Sequence, residues 1–228
     1  MAKPPSRRSS SQEIDRFLHK SKAIATFVEK QPRLLFAIDA TASRQATWDT
    51  ASQLQQQMFR SAGKVASLAV QLCYYSGFHD FFASGWLTDS ARLAQLMRQV
   101  HCEGGHTQIT RLLRHAQEEH RKASVKAVVF IGDAIEESPD TLCNLAGQCG
   151  MLRLPLFLFQ EGCGADVEQT FRSMAKLSGG AYARFDANSA DTLAALLGAV
   201  ASYAAGGRAA LENNASDSAR LLLQQIRS

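Results

Sequence analysis

Three short stretches of the chain are apolar at almost every position. Leu34-Leu35-Phe36-Ala37-Ile38 stops at Asp39, Val128-Val129-Phe130-Ile131 runs into Gly132-Asp133, and Leu154 to Phe159 holds a single Pro. A short run that is apolar on both faces predicts a central parallel strand covered by helices on each side. Between these runs the apolar positions change to helical spacing. Leu93, Met97 and Val100 follow the capping pair Asp89-Ser90, and Ile109, Leu112, Leu113 and Ala116 form a second stripe. Ser138-Pro139 predicts a helix start and Gly150 its stop. Asp166 with Gln169 resembles a capping box whose helix ends at Gly179-Gly180, and Asn188-Ser189 opens a helix to about Ala205. Upstream, Ile14, Phe17, Leu18, Ile24, Phe27 and Val28 suggest a helical lead-in before Gln31-Pro32 breaks the chain.

Val65–Tyr75 and Phe78–Trp86 differ from the rest. They are rich in aromatic and β-branched residues and are separated by Ser76-Gly77, which predicts a tight hairpin. The expected order is helix, strand, helix, hairpin, two helices, strand, helix, strand, helix, strand (Ala181–Phe185), helix. Such alternation predicts an α/β, doubly wound, mostly parallel sheet with helices on both faces and one antiparallel edge strand. Residues 1–10 are expected to be a disordered basic tail, 11–32 the lead-in and 33–205 the domain. Residues 206–228 are expected to be a linker at Gly206-Gly207 and a weak terminal helix.

Composition agrees with a folded domain: 228 residues, 46% hydrophobic and 20% charged. The formal charge of +4 sits in residues 1–22, which hold six basic side chains against two acidic ones, so the body is neutral overall. That argues against a nucleic-acid-binding face. No apolar run approaches the length of a membrane span, and no apolar core follows the first positive charges as in a secretory leader. Five cysteines without a close pair suggest reduced thiols and a cytoplasmic setting.

In an open α/β sheet, ligands bind beyond the carboxyl ends of the strands, near the point where strand order reverses. The residues there are Asp39-Ala40-Thr41-Ala42-Ser43 after the first run, Asp133 after the next, and Gly104-Gly105-His106-Thr107 before a helix. Singly, each has a structural reading: Asp39 and Asp133 as loop starts, Thr41, Ser43 and Thr107 as helix caps. Together they form a hard-oxygen set suited to Mg²⁺ or Mn²⁺. Paired glycines beside Thr107 permit close backbone approach. Glu136 and Glu137 add negative charge near Asp133 and read as a solvated acidic face or as support for the site. A Walker loop, a complete dinucleotide fingerprint, an HExxH pair and a Gly-x-Ser-x-Gly elbow are all absent.

The ordered set Asp39, Thr41, Ser43, then Thr107, then Asp133 resembles the metal-ion-dependent adhesion site of von Willebrand factor type A (VWA) domains. The resemblance covers about residues 33–204 and implies a Rossmann-like VWA fold. It departs in having Thr41 where serine is commoner, and Gly132-Asp133-Ala134 where many members carry Asp-Gly. It implies a non-enzymatic module in which Thr41, Ser43 and Thr107 ligate Mg²⁺ or Mn²⁺, Asp39 and Asp133 supply charge, and a protein partner contributes a carboxylate. One rival is a haloacid-dehalogenase-like, Mg²⁺-dependent phosphohydrolase, which needs a second Asp where Thr41 stands. Another is a VWA scaffold whose metal site does not function.

Overall fold

The computed structural model describes residues 14–17, 30–41, 67–185 and 190–226. The chain divides into two units, Met1–Gln31 and Pro32–Ser228. Of the first, residues 14–17 are helical, with Ile14 and Phe17 exposed. The rest of the expected lead-in, and the helix expected between the first strand and the hairpin, lie outside the described residues.

The second unit is built on six strands: β1 Arg33–Asp39, β2 Ala69–Ser76, β3 Asp80–Ala83, β4 Val125–Gly132, β5 Leu156–Glu161 and β6 Ala181–Phe185. They form one sheet in the order β3-β2-β1-β4-β5-β6. All neighbours are parallel except β3, which turns back on β2 at Gly77 to make the antiparallel edge. Gly77 sits at a φ of 55°, a left-handed turn conformation that glycine adopts without steric cost.

The helices are α1 Ser90–Met97, α2 Ile109–Lys122, α3 Pro139–Met151, α4 Ala165–Ser178, α5 Ala190–Glu212 and α6 Asp217–Leu223. The all-apolar strands have the expected cause. Leu34, Phe36 and Ile38 of β1 pack with Val129, Phe157 and residues of α1, α5 and α6. Leu35 and Ala37 point the other way, toward Phe130, Leu158 and residues of α2, α3 and α4. The central strands are thus dry on both faces.

Three local details differ from expectation. Gly150 does not end α3, which runs to Met151. A Cβ at Gly150 would lie 2.2 Å from the Leu177 carbonyl oxygen, so this glycine allows α3 and α4 to approach. No capping box forms at Asp166. Helix α4 starts two residues earlier, with Gly164 as its N-cap, whose carbonyl accepts from the Gln160 amide at 2.9 Å. Gly206 and Gly207 do break the helix, yet helical structure resumes to Glu212, and Leu211, Ala219 and Leu222 join the core.

Helix α5 is long and apolar enough by composition to cross a membrane. Its apolar side chains, including Leu193, Leu197 and Val200, are buried against the sheet, and the glycine pair interrupts it.

Candidate functional site

Strand order reverses between β1 and β4, so the crevice beyond their carboxyl ends is the switch point of this sheet. Asp39 ends β1, and Asp133 follows the last residue of β4. Asp39 is fully buried, and its Oδ1 accepts from the Thr41 backbone N–H at 2.8 Å, which turns the chain sharply after the strand. Thr41 then bridges to Glu103, bringing the glycine-rich segment alongside. Ser43 lies outside the described residues.

Tyr75 stands opposite Asp39 in the β1–β2 register and is 1% exposed. Burial pushes its hydroxyl well above the usual phenol range, and the negative charges of Asp39, Glu137 and Asp133 push it further. One buried hydroxyl therefore sits in the field of three carboxylates that come from two strand ends and one loop.

Thr107 is also buried. Its hydroxyl donates to Glu137 Oε2 at 2.8 Å and accepts from the Glu136 N–H at 2.9 Å. Its backbone N–H donates to Glu136 Oε2 at 2.7 Å, and His106 Nδ1 lies 3.0 Å from the same oxygen. Glu137 Oε1 accepts from the Thr110 N–H at 2.7 Å. That N–H is one of the unpaired donors in the first turn of α2, whose N-cap residue, Gln108, makes no side-chain capping bond. Thr107 is therefore not the cap; the Glu137 carboxylate does that work from another loop, at the positive end of the helix dipole.

Glu136 and Glu137 are accordingly not a free solvated face. They tie the β4–α3 loop to the Thr107 segment. Sequence reading could not see this pairing, because the partners lie about 30 residues apart and carboxylates in a polar loop look solvated. Tyr75 was missed for a similar reason: only the β1–β2 register places it beside Asp39.

The paired glycines have separate roles. A Cβ at Gly105 would lie 1.8 Å from the Gly77 carbonyl oxygen, whereas Gly104 faces open space. The His106 N–H donates to that same Gly77 carbonyl at 3.2 Å, and the Phe78 and His106 rings meet edge-on at 5.1 Å. The close approach permitted here is to the hairpin turn.

The donor chemistry fits a hard divalent cation. Asp39, Asp133 and the Thr107 hydroxyl are oxygen donors, and Thr107 retains one lone pair after its two hydrogen bonds. Among the described residues no cluster of three His, Cys, Asp or Glu side chains forms a metal site of its own, so a cation here depends on hydroxyl ligands. Glu137, which the five-residue pattern omitted, acts by holding the Thr107 hydroxyl and the Thr110 N–H at the helix N-terminus.

The sequence matches no protein-family model and no curated protein. The fold does have solved counterparts. The SpRpn10 VWA domain matches with a TM-score of 0.56 at 13% identity, covering 70% of this chain and 90% of that one. The vWF domain of the type V pili tip protein Mfa5 from Porphyromonas gingivalis gives 0.57 at 12% identity, covering 74% and 93%. BatB from Bacteroides thetaiotaomicron gives 0.55 at 15% identity, covering 71% and 95%. With its six-stranded, mostly parallel sheet and single antiparallel edge strand, the chain has the fold of a VWA domain.

Proposed function

We propose that this chain is a divalent-cation-dependent protein-interaction module that captures an acidic side chain of a partner, and that it is not an enzyme. The observation that carries the reading is the placement of Asp39 and Asp133 at the carboxyl ends of β1 and β4, the switch point of the sheet, with the Thr107 hydroxyl bonded to Glu137 of the β4–α3 loop. Asp39, Thr41, Ser43, Thr107 and Asp133 would hold Mg²⁺ or Mn²⁺. The bound cation would supply a positive centre attractive to a carboxylate.

The protein's own residues prepare that centre. The Thr41 N–H fixes one Asp39 oxygen. Glu136 and Glu137 hold the Thr107 hydroxyl in a set orientation from two directions. Gly105 lets the hairpin turn brace the Thr107 segment from outside. Five cysteines without a disulfide, Cys73 and Cys149 among them buried, support a reducing, cytoplasmic setting.

The test is affinity capture from cell extract in Mg²⁺ or in chelator, with wild type and Thr107→Ala compared. Partners retained by wild type in Mg²⁺ and lost in both other conditions fit the reading. A capture profile indifferent to chelator and to the substitution contradicts it, and turnover of an aryl phosphate would favour the phosphohydrolase.

A further inference from the structure

At the amino ends of the strands, away from the candidate cation site, lies a cavity of about 580 Å³. Pro32 and Val125 form its floor at the starts of β1 and β4. The last turns of α2, the end of α3 and the break in α5 form its walls. That volume falls within the range of small-ligand sites.

Its polar lining is one-sided. His120, Lys126 and Arg153 contribute to it, and no carboxylate does among the described residues. Neither Lys126 nor Arg153 has a carboxylate partner there; Lys126 reaches only the Ser124 hydroxyl, at 3.4 Å. The His120 ring is anchored through Nδ1, 3.0 Å from the Val125 carbonyl oxygen.

The backbone adds an independent observation. Arg153 has a φ of 57°, alone among the described non-glycine residues. It occupies the left-handed position that closes α3, where its N–H donates to the Gly150 carbonyl and the Leu154 N–H donates to the Cys149 carbonyl. Glycine is the usual residue there, because a side chain is strained in this conformation. An arginine thus stands where glycine is usual, on the rim of the cavity. Across the cavity, Gly206 and Gly207 leave helical geometry and open the wall formed by α5.

We propose that this cavity binds a small phosphorylated ligand, with Arg153 and Lys126 facing its phosphate oxygens. Two cations without an acid suit a multiply charged anion, and the arginine fork matches phosphate geometry.

The experiment titrates the full chain with pyrophosphate by calorimetry at fixed ionic strength and without divalent cations, so the cation site plays no part. Wild type is compared with Arg153→Gly and Lys126→Gln. Arg153→Gly removes the cation and relieves the backbone, so it should melt higher than wild type while binding pyrophosphate about tenfold more weakly, the loss of one charge-assisted hydrogen bond. Lys126→Gln should weaken binding to a similar degree, and citrate should bind wild type far more weakly than pyrophosphate. Absence of pyrophosphate binding to wild type overturns the proposal, as does unaltered binding in Arg153→Gly. Citrate binding as tight as pyrophosphate overturns the assignment to phosphate.

Discussion

Glu137 offers the sharpest test of how the candidate site is held together. Its carboxylate accepts from the Thr110 N–H at 2.7 Å and from the Thr107 hydroxyl at 2.8 Å. A hydrogen bond to a charged group contributes about 1.5–3 kcal/mol. Glu137 is half-buried, so the lower figure applies, and two such bonds give about 3 kcal/mol. Glu137→Ala should therefore cost about 3 kcal/mol. For a chain of this size that lowers the melting temperature by about 6–12 °C. Glu137→Gln keeps the shape and one acceptor and should cost about half as much. The assay is a thermal melt by circular dichroism, in chelator and in Mg²⁺. A cation bound beside Thr107 would be held in place through the hydroxyl that Glu137 orients, so the loss in Glu137→Ala should be larger in Mg²⁺. Melting temperatures for both variants indistinguishable from wild type would refute the idea that Glu137 anchors the Thr107 segment.

The two neighbouring glycines should behave oppositely: Gly105→Ala drives a Cβ against the Gly77 carbonyl and should cost about 3 kcal/mol or more, while Gly104→Ala, facing open space, should be nearly neutral in the same melts. Burial raises the Glu119 carboxyl, but hydrogen bonds from Lys122 and Trp86 outweigh it and hold the group below the ordinary 4.5. That contribution is present at neutral pH and lost as pH falls below 4.5, so Glu119→Gln should be less stable at neutral pH yet lose less stability on acidification; parallel pH profiles for the two proteins would contradict this. Gln225 clasps the outer edge of β6, its side chain accepting from the Tyr182 N–H and donating to the Tyr182 carbonyl, both at 2.9 Å. Gln225→Ala should cost about 1–3 kcal/mol and leave an edge prone to strand pairing, read as concentration-dependent sedimentation.

The sheet was legible because its strands are buried on both faces. Leu34–Ile38 and Val128–Ile131 leave no polar side for solvent, and Ser76-Gly77 announces the antiparallel turn between β2 and β3. The positions of Asp39 and Asp133 at the carboxyl ends of β1 and β4 were legible because each stands at the end of such a run. What escaped depends on contacts between distant segments. Gly150 reads as a stop signal, yet its role is set by the Leu177 carbonyl on another helix. Gly206-Gly207 reads as a linker, but the following turns carry Leu211 and Leu222 into the core. Glu137 looks like a solvent-facing acid until the fold brings the first turn of α2 to it.

The central claim is that Asp39, Thr41, Ser43, Thr107 and Asp133 hold one divalent cation. The most direct measurement is a Mn²⁺ titration of the full chain followed by the paramagnetic resonance of the free ion. Wild type should remove one equivalent of Mn²⁺ from solution, with Mg²⁺ competing for it. Asp133→Ala changes a half-buried loop residue and should keep the circular dichroism spectrum of wild type while removing far less Mn²⁺. Wild type that leaves the free-ion signal unchanged, or Asp133→Ala that binds Mn²⁺ as wild type does, would contradict the account.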